Sequence, residues 1–433
     1  MGGGAYIAVL LLSIMGNYFL GFLLSAKQEK PHWKTICITC SVVFNLLILG
    51  YFKYVNFFID QANAVCTVLG MNPLPELALI LPIGISFYTF QSMSYVFDVA
   101  RGVSRPMKNP IDFATYIAMF PQLIAGPIVR YHVIADQIRE RKTDLDGFTR
   151  GVIRFSHGLI KKVVIADAVG SIAEASFALP AADITTAAAW LGAFSYTLQI
   201  YFDFSAYSDM AIGLGHIFGF KLPENFNRPY SAVSITDFWR RWHITLSAWF
   251  RDYVYIPLGG SRVSPGRMYF NLVFIFLTVG FWHGANYTFI VWGAYHGVLL
   301  LLERMSGQRS PDASIGIFIR RFTTFLLVLI GWVVFRADSV GQALEFYLSM
   351  FSLKGGELAV SVALTLTTKN VIILCLSAFI LIFPRSFNAG VLLEQSNNRF
   401  FAALRVGIVL LGVPYAIMQV ASSNFSPFLY FQF

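Results

Sequence analysis

Two histidines stand where an imidazole could do chemistry. His283 lies in Phe281-Trp282-His283-Gly284-Ala285-Asn286, after thirteen apolar-dominated residues, Tyr269 to Phe281, and before another apolar stretch. That position is in or near a membrane, where an ionisable group is expensive and marks a functional site by default. A desolvated imidazole is biased toward its neutral form. Neutral His can act as a general base on a hydroxyl at ordinary pH. The competing reading is a structural histidine bonded to a neighbouring carbonyl. Gly280 and Gly284 flank the ring and allow close backbone approach or a helix break. His296, thirteen residues on in Ala294-Tyr295-His296-Gly297, reads as a helix-packing histidine.

The second histidine ends the run Asp237-Phe238-Trp239-Arg240-Arg241-Trp242-His243. Asn225, Asn227, Arg228, Pro229 and Tyr230 come before it, and Trp249, Phe250, Arg251, Asp252 and Tyr253 after it. Asp237, Arg240 and Arg241 at i, i+3 and i+4 can put opposite charges on one helix face. Trp239, Trp242 and Trp249 suit a headgroup belt, which makes the run an interfacial anchor. Arg240, Arg241 and Arg251 equally suit a phosphorylated ligand, because guanidinium forks grip phosphates bidentately. Coenzyme A would fit such a basic mouth. On the residues alone both readings stay open.

Other motif searches end without a site. Thr288 lies five residues after His283, so the histidine–aspartate acyltransferase spacing is missing. Gly213-Leu214-Gly215-His216 lacks the last glycine of a dinucleotide loop, since Gly219 is one place late, and it reads as small-residue helix packing. Asp203, Ser205, Ser208 and Asp209 read as pore lining or helix-end caps between two apolar runs. Ser205 has no nucleophile-elbow pattern. Cys37 and Cys40 have CxxC spacing inside an apolar run and read as two small buried residues. No second pair completes a zinc site, so no metal is expected.

These residues need an apolar scaffold, and composition supplies one. The chain has 433 residues, 56% hydrophobic and only 13% charged, with a mean hydropathy of +0.63. Ordinary soluble domains carry about 25% charged residues. A disordered chain, a fibrous repeat and a conventional soluble enzyme are excluded, and lipid is the solvent for much of the surface. Apolar runs occur near Ala5–Ser25, Ile36–Ile59, Ala78–Phe97, Phe113–Val129, Val152–Ala175, Ala187–Phe202, Phe204–Phe220, Met268–Trp282, Ala285–Leu302, Phe318–Phe335, Ala359–Ile382 and Phe401–Val420. At about 20 residues per span, roughly ten to twelve helices span or re-enter the membrane. With no repeat and no low-complexity linker, residues 1–433 read as one integral-membrane domain.

The net charge of +9 places positive loops in the cytoplasm and does not point to nucleic acid. Lys27, Lys30 and Lys34, the region Arg101–Arg154, and the stretch Lys221–Arg267 are expected there. Asp60–Glu76, Ser171–Thr185 and the tail after Val420 carry no Lys or Arg and are expected on the opposite side.

The chain resembles the membrane-bound O-acyltransferase (MBOAT) family, in its bacterial alginate O-acetylase type. The matching stretches are LPIGISFYTFQSMSYVFDVARG (Leu81–Gly102), FPQLIAGPIVRY (Phe120–Tyr131), YFDFSAYSDMAIGLG (Tyr201–Gly215), ENFNRPYSAVSITDFWRRWHITLSAWFRDYVYIPLGG (Glu224–Gly260) and FWHGANYTFIVWGAYHG (Phe281–Gly297). The ending SPFLYFQF (Ser426–Phe433) also matches. Family members usually begin with a further hydrophobic segment before the match to Ala5–Leu24. Here Met1-Gly2-Gly3-Gly4 opens the chain, so a shortened start is expected.

The resemblance implies an all-α polytopic protein, a helical ring around a thin catalytic centre with a cytoplasmic funnel. It implies that His283 is the essential histidine and that His243 occupies the second active-site position. The implied location is the bacterial inner membrane. Acetyl-CoA would be the donor substrate, with no permanently bound cofactor. Its phosphates would sit near Arg240, Arg241 and Arg251, with Trp239 and Trp242 beside them. His283 would act as general base, or alternatively carry the acetyl group as a transient acetyl-imidazole, and His243 would hydrogen-bond the carbonyl or orient the donor. The acetyl group would then pass to a periplasmic SGNH-type acetyltransferase, and so to an exopolysaccharide such as alginate. The rival reading is a transporter or exporter subunit of a polysaccharide secretion system, without acyl-transfer chemistry.

Overall fold

The computed structural model describes residues 3–26, 30–307, 314–379, 390, 392–393, 396, 398–422 and 427–429, and no strand occurs among them. Lys27, residues 380–382 of the run to Ile382, and Ser426 with 430–433 of the chain ending lie outside the described residues. The chain divides into two compact units.

The first unit holds Met1–Thr143 with Gly219–Pro223. Its helices are α1 (Gly3–Ala26), α2 (Pro31–Leu49), α3 (Val55–Val68), α4 (Ile85–Ala100) and α5 (Pro110–Ala118). A π-type turn at Gly50–Tyr54 joins α2 to α3. In lipid no hydrophobic force drives apolar helices together, so close packing and polar pairs hold them. Asn17 on α1 and Asn45 on α2 exchange side-chain hydrogen bonds of 3.2 and 2.8 Å, and Ser41 donates to Asn17 at 2.9 Å. Ser13 meets Ser92 on α4 at 3.4 Å.

The second unit holds Asp144–Phe218 and Glu224–Phe433. It begins with α6 (Leu145–Ile160), a π-type turn at Lys161–Ala166, α7 (Asp167–Phe177) and α8 (Thr186–Ile217). The short helices α9 (Ile235–Trp239) and α10 (Ile244–Phe250) follow, then α11 (Pro265–His283) and α12 (Tyr287–Met305). Next come α13 (Ser314–Arg336), α14 (Val340–Phe351), α15 (Val360–Thr365), α16 (Thr368–Ala378), α17 (Arg399–Gly407) and α18 (Val413–Ser422).

Among the described residues, four helical segments are long and apolar enough to cross a membrane: Tyr6–Ala26, Pro31–Val68, Ile315–Arg336 and Arg399–Ser422. Large apolar side chains stay exposed along them, including Met15 and Phe19 on α1, Phe318 and Phe322 on α13, and Ile417 and Met418 on α18. Such surfaces suit acyl chains.

Some apolar runs fold differently from their sequence reading. Ala187–Phe202 and Phe204–Phe220 are not two segments, because Asp203 sits inside the 32-residue α8. At 1.5 Å per residue α8 is about 48 Å long. Asp203 does not break it because Lys162 reaches its Oδ1 at 2.8 Å, while Oδ2 accepts the Leu429 N–H at 2.9 Å. Asp209, two turns on, accepts from Arg154 Nε and Lys161 Nζ at 2.7 Å each, and His157 Nδ1 lies 3.3 Å away. Arg154 also reaches Glu224 at 2.8 Å. The acidic residues are thus neutralised in mid-helix and do not cap a helix end.

Phe113–Val129 is not one helix either. α5 stops at Ala118, Met119 is extended, Phe120–Leu123 makes a single turn, and the chain then runs without helix to Arg130. Pro121 and Pro127 lack the N–H that a continuous helix requires. Ala359–Ile382 is likewise split between α15 and α16. Cys37 is buried but Cys40 is exposed, so the two do not form the buried pair expected. Gly213 does pack as read: a Cβ there would come within 2.7 Å of the Gly151 carbonyl oxygen on α6.

A carboxylate shared by buried cations is strongly destabilising to remove, because it strands their charge. Asp209→Asn is expected to destabilise the detergent-solubilised protein by about 3 kcal/mol or more. Thermal unfolding against wild type checks this.

Candidate active site

His283 is the last residue of α11, where the helix ends because Gly284 is extended at φ −172°. Its placement depends on how closely α11 and α12 approach. A Cβ on Gly280 would come within 2.3 Å of the Phe289 carbonyl oxygen, and one on Gly293 within 2.3 Å of the Phe276 carbonyl oxygen. Only hydrogen fits at either place. The His283 ring is 6% exposed and walled by aromatics. Trp282 lies 5.0 Å away by ring centroids, with Trp292 and Phe335 edge-on at 5.2 Å each. Phe335, from α13, is a wall that no local sequence pattern announced.

His243 precedes α10 and holds left-handed backbone angles, φ 43° and ψ 55°, which are costly for a side-chain-bearing residue. Its ring stands edge-on to Phe204 of α8 at 4.8 Å and lies 6.5 Å from Trp282. Trp282 therefore borders both imidazoles. His243 Nδ1 is 3.0 Å from Asn225 Oδ1, a partner that the sequence reading left without a role. His243 lies outside the four segments long and apolar enough to cross a membrane among the described residues, and burial lowers its pKa to about 3, which keeps the ring neutral.

A cavity of about 420 Å³ lies beside these elements. Trp239, Arg240, Ile244, Arg251, Ile275 and Val279 are among its lining residues. Ile275, Val279 and His283 are spaced i, i+4, i+8 on α11, so they share one helix face. The cavity thus follows the face of α11 that ends in His283, one turn of about 6 Å beyond Val279. Its other wall includes Ile244, the residue after His243.

The structure separates the basic and aromatic residues of this run. Arg240 is exposed and lines the cavity. Arg251 also lines it and grips Asp252 through two hydrogen bonds, 2.7 and 3.1 Å. Arg241 is not a lining residue, because it pairs with Asp237 at 2.8 Å, the i, i+4 partner its spacing indicated. Trp239 lines the cavity, whereas Trp242 packs between Trp332 at 4.8 Å and Phe226 at 5.1 Å. Trp239, Trp242 and Trp249 are only 8, 3 and 4% exposed, so these indoles are core residues and not a headgroup belt. His296 is fully buried among Trp239, Trp292 and Phe238 rings, as a packing histidine would be. Ser205 Oγ bonds back to the Phe202 carbonyl of its own helix at 3.5 Å.

The model of the family described as "MBOAT, membrane-bound O-acyltransferase family" matches residues 5–335. The chain is 43% identical over 446 residues to a probable alginate O-acetylase of Azotobacter vinelandii, covering 96% of this chain and 89% of the relative. It is 35% identical to a peptidoglycan O-acetyltransferase of Helicobacter pylori, covering 99% and 88% of the two chains. A teichoic acid D-alanyltransferase of Bacillus subtilis is 31% identical, covering 52% and 60%.

Overpacking a tight helix crossing typically costs about 1–3 kcal/mol. Gly293→Ala is expected to lower stability by that amount and to displace the end of α11. Chemical denaturation followed by tryptophan fluorescence would show a lower midpoint and altered native emission from the indoles around His283.

Proposed function

The chain belongs to the membrane-bound O-acyltransferase family, and from that premise we propose that it moves acetyl from cytoplasmic acetyl-CoA across the bacterial inner membrane. The final acceptor in this reading is an exopolysaccharide, alginate first among them, reached through a periplasmic SGNH-type acetyltransferase. Family membership makes the chain a multi-pass membrane O-acyltransferase, which gives it the chemistry that the exporter reading lacked. The names of the Azotobacter and Helicobacter relatives support acetyl as the group transferred.

One observation carries the site assignment: the cavity bordered by Arg240 and Arg251 follows the face of α11 that ends in His283. Coenzyme A phosphates placed at the two guanidiniums would direct the pantetheine arm along apolar walls toward the imidazoles. The acceptor oxygen attacks the thioester carbonyl carbon while His283 takes the hydroxyl proton. The C–S bond then breaks, and the proton passes from the imidazolium to the leaving sulfur. The aromatic walls keep water from the thioester, which suppresses hydrolysis. His243, whose ring also borders Trp282, meets the same reactants.

His283→Ala, assayed for acetyl transfer in isolated membranes, is expected to lose activity by a factor of about 100 or more, the scale of a general base. Normal polymer acetylation in that variant would refute the role. Arg240→Ala and Arg251→Ala are each expected to raise the acetyl-CoA KM about three- to tenfold with kcat little changed, since exposed charge pairs are worth about 0–1 kcal/mol and somewhat more with phosphate. Arg241→Ala should leave the KM near wild type.

A further inference from the structure

We propose that Asn225 is a positioning residue that locks neutral His243 as its Nδ1–H tautomer, so that Nε2 meets the substrate as a hydrogen-bond acceptor. The inference deepens the preceding reading and rests on it for the placement of His243 at the reaction centre.

The Asn225 carbonyl oxygen accepts the Ile244 N–H at 2.9 Å, and Asn227 N–H donates to the Arg241 carbonyl at 2.9 Å. Segments 225–227 and 241–245 are therefore laced together, with His243 between. Asn225 itself is fully buried. Its Oδ1 lies 3.3 Å from the Thr245 backbone nitrogen and 2.9 Å from Thr245 Oγ1. A backbone N–H can only donate, so the atom it faces is the carboxamide oxygen and not the amine. The amide orientation is thereby settled by a neighbour that cannot change role, and not by the histidine. Nδ2 points the other way, 3.2 Å from Ser208 Oγ on α8.

An oxygen acceptor at 3.0 Å requires that His243 Nδ1 carry the hydrogen. In a neutral ring the remaining nitrogen then holds a lone pair. Burial in this position favours the neutral ring. Such a ring cannot donate to a thioester carbonyl through Nε2. It can receive an N–H or O–H, from an amide of the pantetheine arm or from the acceptor hydroxyl. Of the two duties open to His243, polarising the carbonyl and orienting a reactant, the geometry points to orientation. At metal-bound imidazoles, hydrogen-bonded partners that fix the tautomer typically govern about 10- to 100-fold in function, which sets the scale expected here.

The decisive experiment is 15N NMR of histidine-labelled protein in nanodiscs, with the His243 signals assigned by difference against His243→Gln. The proposal expects a protonated Nδ1 and an unprotonated Nε2 in wild type. An Nε2–H tautomer overturns it, whatever any variant does. Kinetics supply the second arm. Asn225→Leu is expected to lower acetyl-transfer kcat about 10- to 100-fold, and Asn225→Asp, which keeps the acceptor oxygen, to recover most of it. Asn225→Leu that folds and turns over within twofold of wild type also overturns the proposal. A raised KM for acetyl-CoA in Asn225→Leu assigns the Nε2 contact to the donor arm, and a raised KM for the hydroxyl acceptor assigns it to the acceptor. Full activity in His243→Ala would instead defeat the two-histidine reading and leave the tautomer result standing by itself.

Discussion

A carboxylate in an apolar interior has to be neutralised, and the two on α8 set the arrangement of the second unit. Asp209 draws in Arg154 and Lys161, while Asp203 draws in Lys162 and the Leu429 amide. Both lysines belong to the π-type turn Lys161–Ala166, whose wider winding presents two consecutive side chains to two different acids. Isolated ions would be prohibitive here, and mutual pairing with good geometry offsets the desolvation. The same helix supplies Ser208 to Asn225 and Phe204 to His243. One rigid element thus carries the structural ion pairs and one wall of the candidate site.

His283 is positioned by a different device, the absence of side chains. Gly280 and Gly293 let α11 and α12 touch backbone to backbone, and Gly284 ends α11 directly after the imidazole. The aromatic residues then close around the ring. Trp282, Trp292 and Phe335 exclude water without offering a competing charge. In the chain by itself His283 is not among the cavity-lining residues but stands one turn beyond Val279. The proposed donor would therefore have to pass the aromatic wall of Trp282 and Phe335 to reach it.

Much of the site was legible from local sequence, because local spacing has local consequences. Glycines beside a histidine in an apolar run indicated close packing and a helix end, and both are present at Gly280 and Gly284. The Asp237–Arg241 pair followed from its i, i+4 spacing. What failed depended on distant partners. Asp203 looked like the boundary of a segment because Lys162, which neutralises it, lies 41 positions earlier. Trp239 and Trp242 looked interfacial because indoles favour headgroups, yet Phe276, Trp292 and Trp332 from later helices bury them. Arg240 and Arg241 are adjacent and chemically alike, and only the fold separates the cavity-lining one from the one held by Asp237. Asn225 carries no motif that singles it out, since its importance lies in four hydrogen bonds to segment 243–245 and one to α8.

The proposed donor path runs along the α11 face and ends at His283. The most direct measurement is a cryo-EM structure of the protein bound to a non-hydrolysable thioether analogue of acetyl-CoA. Phosphate density is expected at Arg240 and Arg251, with the acyl carbon beside His283 so that an acceptor oxygen hydrogen-bonded to the imidazole would lie about 3–3.5 Å from it, as a near-attack arrangement requires. An analogue bound elsewhere, or one whose acyl end stops outside an intact Trp282–Phe335 wall, would contradict it.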